Sequence, residues 1–243
     1  MIEERPPSVD LTKPRSVFEV VGSALVLYGR YPLMFAALAL AVIGPYELLV
    51  LAVTHAAPLG QQHTRASTAF ILFLLDFALV GPLVSALHVH AVSLIGTNAR
   101  PRLVTVARHG VVVLPVVAAA QIIAGLGIGL GLIAFVVPGI ILALRWAVVA
   151  QVAATERTDW LGALRRSREL TAGHYLHVLG VLAVTSVVDL VLAGAGTAVA
   201  GTGNHVGPVV LGIAVVTIAR SFTALATAML FFDLGAREKL ARG

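Results

Sequence analysis

Long, almost uncharged blocks alternate along this chain with short segments that carry most of its charged residues. A hydrocarbon core about 30 Å thick is crossed by roughly 20 apolar residues that rise 1.5 Å each in a helix. The pattern therefore predicts an all-α, polytopic membrane protein with six transmembrane helices in a single membrane domain, residues 15–243. The predicted spans are residues 31–54, 68–92, 111–129, 132–153, 175–198 and 208–232.

The third and fourth spans are predicted to form a hairpin. Residues 111–154 contain a single charged side chain, Arg145. One helix of that length would reach about 66 Å, twice the membrane thickness, so the block must fold back. We place the turn at residues 125–131, where four glycines allow a tight reversal. The alternative is that these glycines allow close helix packing.

Prolines inside three spans are expected to kink them, because proline removes a helical hydrogen bond. The prolines concerned are Pro45 in the first span, Pro82 in the second and Pro138 in the fourth.

Two amphipathic helices are predicted to lie along the inner membrane surface. In residues 15–30, apolar side chains recur at the spacing of one helical face. These are Phe18, Val21, Leu25 and Tyr28. In residues 158–171, Thr158 would cap the helix. Residues 1–14 contain acids and prolines but no apolar block, so we interpret them as a disordered cytoplasmic tail and not as a signal peptide.

The second amphipathic helix is the candidate lipid-headgroup site. Its apolar residues, Trp160, Ala163 and Leu164, would face the lipid. Its basic residues would contact anionic headgroups on the cytoplasmic side, each contributing about 1 kcal/mol of attraction. They are Arg165, Arg166 and Arg168. The alternative is a solvated cytoplasmic loop whose charges only fix the topology.

Composition and charge agree with a membrane protein. The chain is 58% hydrophobic and only 12% charged, whereas a soluble domain is about a quarter charged. Counting from a cytoplasmic N-terminus, fourteen Lys and Arg residues fall in inner segments and only Arg65 falls in an outer loop. Basic residues accumulate on the cytoplasmic side. We therefore expect both termini to be cytoplasmic and the protein to lie in the cell membrane.

Five ionisable residues fall inside the predicted spans, where a charge costs roughly 3 kcal/mol on insertion scales. They are expected to face the bundle interior and to form one buried polar network. The functional interpretation is an outward-opening pocket for a cation, a proton relay or a polar headgroup; the alternative is a set of ion pairs that hold the helices together. The residues are Glu47, Asp76, Arg145, Asp189 and Arg220.

The sequence offers little else for chemistry. Cysteine is absent, which excludes disulfides and thiol catalysis. The paired histidines have no acid spaced to complete a zinc site, and no nucleophile elbow, phosphate loop or dinucleotide motif occurs. We therefore expect no metal, no cofactor, no nucleic-acid partner and no catalytic activity.

Residues 135–180 carry a composite pattern. It consists of a Pro-Gly span, an Arg-Trp pair, an acid at the inner end and an A-L-x-x-S-x-x-L-x-x-G helix. This pattern resembles the membrane domain attached to some bacterial glycerophosphodiester phosphodiesterases and its stand-alone six-span relatives, whose function is unassigned. The matching positions are Pro138, Gly139, Arg145, Trp146, Glu156, Ser167, Leu170 and Gly173.

The resemblance implies six spans and an N-terminal surface helix. It does not imply phosphodiester hydrolysis, because that activity belongs to a separate soluble barrel and the membrane unit occupies all 243 residues here. The leading hypothesis is a non-enzymatic protein that binds or organises lipid or a membrane partner, which includes a second copy of the chain. The alternative is a small-solute or lipid transporter or exporter that uses the buried carboxylates.

Overall fold

The computed structural model describes residues 10–55, 65–97, 99, 102–200 and 206–242. Within these ranges the chain forms helices and no strands, as the sequence predicts. The helices are α1 (Val17–Arg30), α2 (Pro32–Thr54), α3 (Ala66–Leu75), α4 (Gly81–Gly96), α5 (Leu103–Ala134), α6 (Val136–Arg145), α7 (Val149–Thr155), α8 (Trp160–Thr171), α9 (Tyr175–Ala200) and α10 (Val206–Arg242).

Six helical segments are long and apolar enough to cross a membrane, which confirms the predicted number of spans. Spans one, three, five and six are α2, α5, α9 and α10. Span two combines α3 and α4 through one π-helical turn, Asp76–Val80, and span four combines α6 and α7. Helix α10 has 37 residues and continues ten residues beyond the predicted sixth span, to a length of about 55 Å.

The predicted hairpin exists, but its turn is not at the glycines. Helix α5 runs unbroken for 32 residues, and the chain reverses at Phe135, whose backbone is extended. Three of the four glycines, Gly125, Gly127 and Gly131, instead lie where neighbouring residues approach α5 closely, as the packing alternative predicts, whereas Gly129 faces open space. A Cβ built at Gly125 would lie 2.2 Å from the Phe77 ring, and one at Gly127 would lie 2.5 Å from the Trp146 ring.

The prolines do not act as predicted in every span. Helix α2 continues through Pro45. Pro138 lies in the first turn of α6, where its missing N–H breaks no hydrogen bond. Span four is interrupted eight residues later, at residues 146–148, which hold no proline. Pro82 follows the π turn, whose widened spacing lets the Gly81 N–H donate to the Asp76 carbonyl.

Helix α1 packs against α9 and α10 at one end of the bundle. It begins with a capping box, in which Ser16 accepts from the Glu19 N–H and the Glu19 carboxylate accepts from the Ser16 N–H. The predicted apolar face is offset from the buried one. Val20, Ala24 and Leu27 are buried, whereas Phe18 and Leu25 are exposed.

Helix α8 forms where the sequence predicts a surface helix, with two differences. Its cap is Asp159, which accepts from the Gly162 N–H at 2.8 Å, and not Thr158. Ala163 and Leu164 are buried against the bundle instead of facing lipid, while Trp160 remains 38% exposed. The buried stripe continues through Ser167 and Leu170 at helical spacing.

Helix α8, the start of α9 and the last turns of α10 meet α1 at one end of the molecule, which we call the basic end. Hydrogen bonds and ion pairs connect these elements there. Helices α2 and α9 end at the opposite end, because each span crosses the bundle once.

Candidate functional site

The central feature of the spans is an ion pair between Asp76 and Arg220. The Arg220 guanidinium donates from Nη1 to Asp76 Oδ1 at 2.5 Å and from Nη2 to Oδ2 at 2.9 Å. Asp76 opens the π turn of span two, and Arg220 comes from α10. Bidentate pairing of this kind is the strongest geometry available to a carboxylate. It joins span two to span six within the transmembrane region.

Asp189 on α9 lies near this pair and has a different partner. The Thr223 hydroxyl lies 2.9 Å from each oxygen of the Asp189 carboxylate and donates to it. Thr223 follows Arg220 by three residues on α10, and the Arg220 charge acts on Asp189. The Asp189 carboxylate therefore extends the polar cluster towards α9 without an ion pair of its own.

Glu47 is the most buried carboxylate of the group. Its residue is only 8% exposed, and the charges of Arg220 and Asp76 both act on it. Among the residues that the structure describes, its carboxyl group makes no hydrogen bond and has no cation within 4.0 Å. The neighbouring Tyr46 does not fill this role, because its hydroxyl donates to the Leu72 carbonyl at 3.1 Å.

Arg145 does not join the other four residues of the predicted network. It ends α6 at the break in span four, and its Nε donates to the Tyr175 hydroxyl at 3.3 Å. Its carbonyl oxygen accepts from the Ser167 and Thr171 hydroxyls of α8, at 3.0 and 3.3 Å. Arg145 thus belongs to the basic end. Counting residues along an unbroken helix places it too deep.

We call Glu47, Asp76, Asp189 and Arg220 the intramembrane cluster. Three carboxylates and one guanidinium meet there, in the part of the bundle farther from the basic end.

The three arginines of α8 have two different environments. Arg166 is 26% exposed and forms a bidentate pair with Glu238 of α10, both N···O distances being 2.6 Å. Its Nε also donates to Glu156 at 3.2 Å. The hydrogen bonds that Arg166 donates to the Glu238 carboxylate raise the pKa of Arg166 above its ordinary value. Arg165 and Arg168 are exposed and have no carboxylate partner among the described residues.

The sequence analysis missed Asp233, a buried carboxylate at the basic end. It is fully buried. It accepts from the Arg15 N–H at 2.5 Å and from Arg237 Nε at 2.8 Å, and His177 Nε2 lies 2.9 Å away. Asp233 therefore connects α1, α9 and α10. The i, i+4 spacing of Asp233 and Arg237 was the only signal for it, and that spacing alone does not indicate burial.

Three of the described histidines, His88, His90 and His109, contact neighbouring residues within the bundle. His88 is fully buried, with Nδ1 2.8 Å from the Val84 carbonyl and Nε2 2.8 Å from the Ser221 hydroxyl. His90 and His109 stack with ring centroids 3.9 Å apart. In the described part of the chain, no group of three or more His or acidic residues is arranged to hold a metal ion.

The fold defines the class of the protein: six apolar helices make it a multi-pass integral membrane protein. No protein-family model, curated protein or solved structure matches the chain. The resemblance to the membrane domain of glycerophosphodiester phosphodiesterases therefore stays a prediction.

Proposed function

We propose that the protein is a non-enzymatic membrane protein that binds and organises anionic lipid at its basic end, on the cytoplasmic side of the cell membrane. The observation that carries this proposal is the pair of exposed, unpaired guanidiniums on α8, Arg165 and Arg168. Leu161, which is 53% exposed, precedes them by four and seven residues and so lies on the same helical face. An apolar residue beside basic ones is typical of interfacial helices.

Arg166 has a separate role in this proposal. Its ion pairs with Glu238 and Glu156 fix α8 against α10, so the exposed face of α8 is held in place before any lipid binds. A rigid site loses less conformational entropy on binding than a flexible loop does. The predicted headgroup contacts are thereby reduced from three arginines to two, Arg165 and Arg168.

The test is retention of phosphatidylglycerol by the purified, delipidated protein. Two exposed arginines at about 1 kcal/mol each correspond to roughly 30-fold weaker binding when both are neutralised. We expect the double variant Arg165→Gln/Arg168→Gln to show this loss. The matched control, Lys13→Gln/Arg65→Gln, removes the same number of exposed positive charges outside α8. Equal retention by the wild type and the α8 variant would refute the proposal.

The second candidate function is transport of a small solute or lipid through the bundle. The specific observation that favours it is Glu47, a buried carboxylate with no partner beside an ion pair in the membrane. Ion pairs that only hold helices together would leave no carboxylate uncompensated. Solute flux in proteoliposomes distinguishes transport from lipid binding, since loss of lipid retention does not require loss of flux.

A further inference from the structure

The intramembrane cluster holds three carboxyl groups and a single guanidinium, so two of the carboxyl groups have no cation of their own. Arg220 is the only guanidinium in it, and both of its Nη atoms are taken by Asp76. Asp189 has hydrogen bonds from Thr223, and Glu47 has neither a hydrogen bond nor an ion pair among the described residues. An uncompensated charge in a membrane interior is costly. The carboxyl group with the least compensation is therefore that of Glu47.

The surroundings of Glu47 offer no cation to compensate it. Helix α2 packs against α1, α4, α5, α10 and the π turn. The charged groups whose fields reach Glu47 are Arg220 from α10 and Asp76 from the π turn, which carry opposite charges. Within the described residues, the other neighbouring helices bring no charged side chain to it. The polar groups nearby include the Tyr46 hydroxyl, which is engaged with Leu72.

A metal ion is not the ligand that this geometry favours. In the described part of the chain no group of three His or acidic side chains is arranged to hold a metal ion, and a dehydrated metal ion requires several oxygen ligands. A proton requires only one carboxylate oxygen. It also converts the acceptor-only carboxylate into a neutral group that can donate a hydrogen bond.

We propose that Glu47 is a proton-binding site inside the transmembrane bundle and carries a proton in the resting state. The step transfers one proton: an O–H bond of a hydronium ion breaks and leaves a neutral water molecule, and an O–H bond forms on a carboxylate oxygen of Glu47. The Arg220 side chain is 37% exposed, so the ion pair lies at the edge of the bundle. A guanidinium at such a position requires contact with water or headgroups. Proton exchange with Glu47 would take place along this edge of the bundle.

This site goes beyond lipid binding at the basic end and does not depend on it. Asp76 and Arg220 act as positioning residues. Because Asp76 accepts from both Nη atoms of Arg220, the guanidinium does not form an ion pair with Glu47. Asp189 completes the cluster towards α9.

The test is infrared spectroscopy of the purified protein near neutral pH, in which a protonated carboxyl group gives its own C=O band. We expect one such band in the wild type, a shift of this band in D₂O, and its loss in Glu47→Gln. The control Glu169→Gln removes a glutamate whose side chain is 53% exposed and leaves the band unchanged. Absence of the band in the wild type, or its persistence in Glu47→Gln, overturns the proposal.

Isotope labelling makes the test independent of how the variant folds. Protein labelled with ¹³C at the glutamate side-chain carboxyls should show the whole band shifted, whereas labelling of the aspartate carboxyls should leave it in place. A band that moves with the aspartate label instead assigns the proton to another residue and overturns the proposal.

Discussion

Two glycines of the α5–α6 hairpin should respond in opposite ways to the same substitution. A Cβ added at Gly139 would lie 2.4 Å from Leu132 Cγ and 2.6 Å from the Leu132 backbone nitrogen. A Cβ added at Gly129 would meet nothing within 4 Å. Gly139→Ala therefore forces α5 and α6 apart, while Gly129→Ala adds a methyl group in open space.

The magnitudes follow from these distances. Overpacking a tight contact costs about 1–3 kcal/mol, and at Gly139 the obstacle includes backbone, which cannot rotate away. Replacing glycine by alanine in a helix otherwise gains about 0.5–1 kcal/mol. Because both variants share the helical gain, Gly139→Ala should be destabilised by about 1–3 kcal/mol relative to Gly129→Ala.

The assay is thermal unfolding of both variants in one detergent, followed by circular dichroism. In a chain of this size, 1 kcal/mol corresponds to about 2–4 °C in Tm. We expect Gly129→Ala to match or exceed the wild type and Gly139→Ala to unfold roughly 2–12 °C below Gly129→Ala. Equal Tm values for the two variants would refute the close α5–α6 contact. If only Gly129→Ala were less stable than the wild type, the chain would reverse within residues 125–131 and not at Phe135.

Two further predictions concern the basic end. Arg166→Met leaves Glu238 and Glu156 without their shared cation and should lower the free energy of unfolding by about 1–3 kcal/mol. Arg165→Gln, which loses no ion pair, should change it by less than about 0.5 kcal/mol. Ser16→Ala removes a helix cap worth about 1 kcal/mol and should speed amide exchange in the first turn of α1 roughly fivefold. The Ser16 N–H lowers the pKa of Glu19, so this cap stabilises α1 fully above the ordinary glutamate pKa and loses its effect as the pH falls through the lowered value. Unchanged exchange in Ser16→Ala would contradict the capping box.

The number of spans was predictable from sequence because the lipid interior sets both the length of an apolar segment that crosses it and the scarcity of charged residues within that segment. Helix α1 and helix α8 were predictable from local periodicity. Interruptions of the helix within a span were harder to predict. The break after Arg145 contains no proline or glycine, and the hydroxyls of Ser167 and Thr171 satisfy the carbonyl oxygen of Arg145 from another helix. No local pattern reports such a tertiary contact.

The candidate site shows the same division. Burial cost alone brought Glu47, Asp76, Asp189 and Arg220 together as a hypothesis, and the structure places these four near one another. The sequence did not predict which carboxylate pairs with Arg220. The partner is Asp76, which lies at the start of a π turn that the sequence did not predict. Asp233 escaped notice because it lies beyond the predicted sixth span, in a part of α10 that sequence reasoning assigned to the cytoplasm.

The central claim is that six spans cross the membrane with both chain ends on the basic side. The chain has no cysteine, so single cysteines can be introduced without background and probed in intact cells with a membrane-impermeant thiol reagent. Arg65→Cys should be labelled from outside, whereas Lys13→Cys and Leu240→Cys should be labelled only after the cells are opened. Labelling of Leu240→Cys in intact cells, or protection of Arg65→Cys there, would contradict the account.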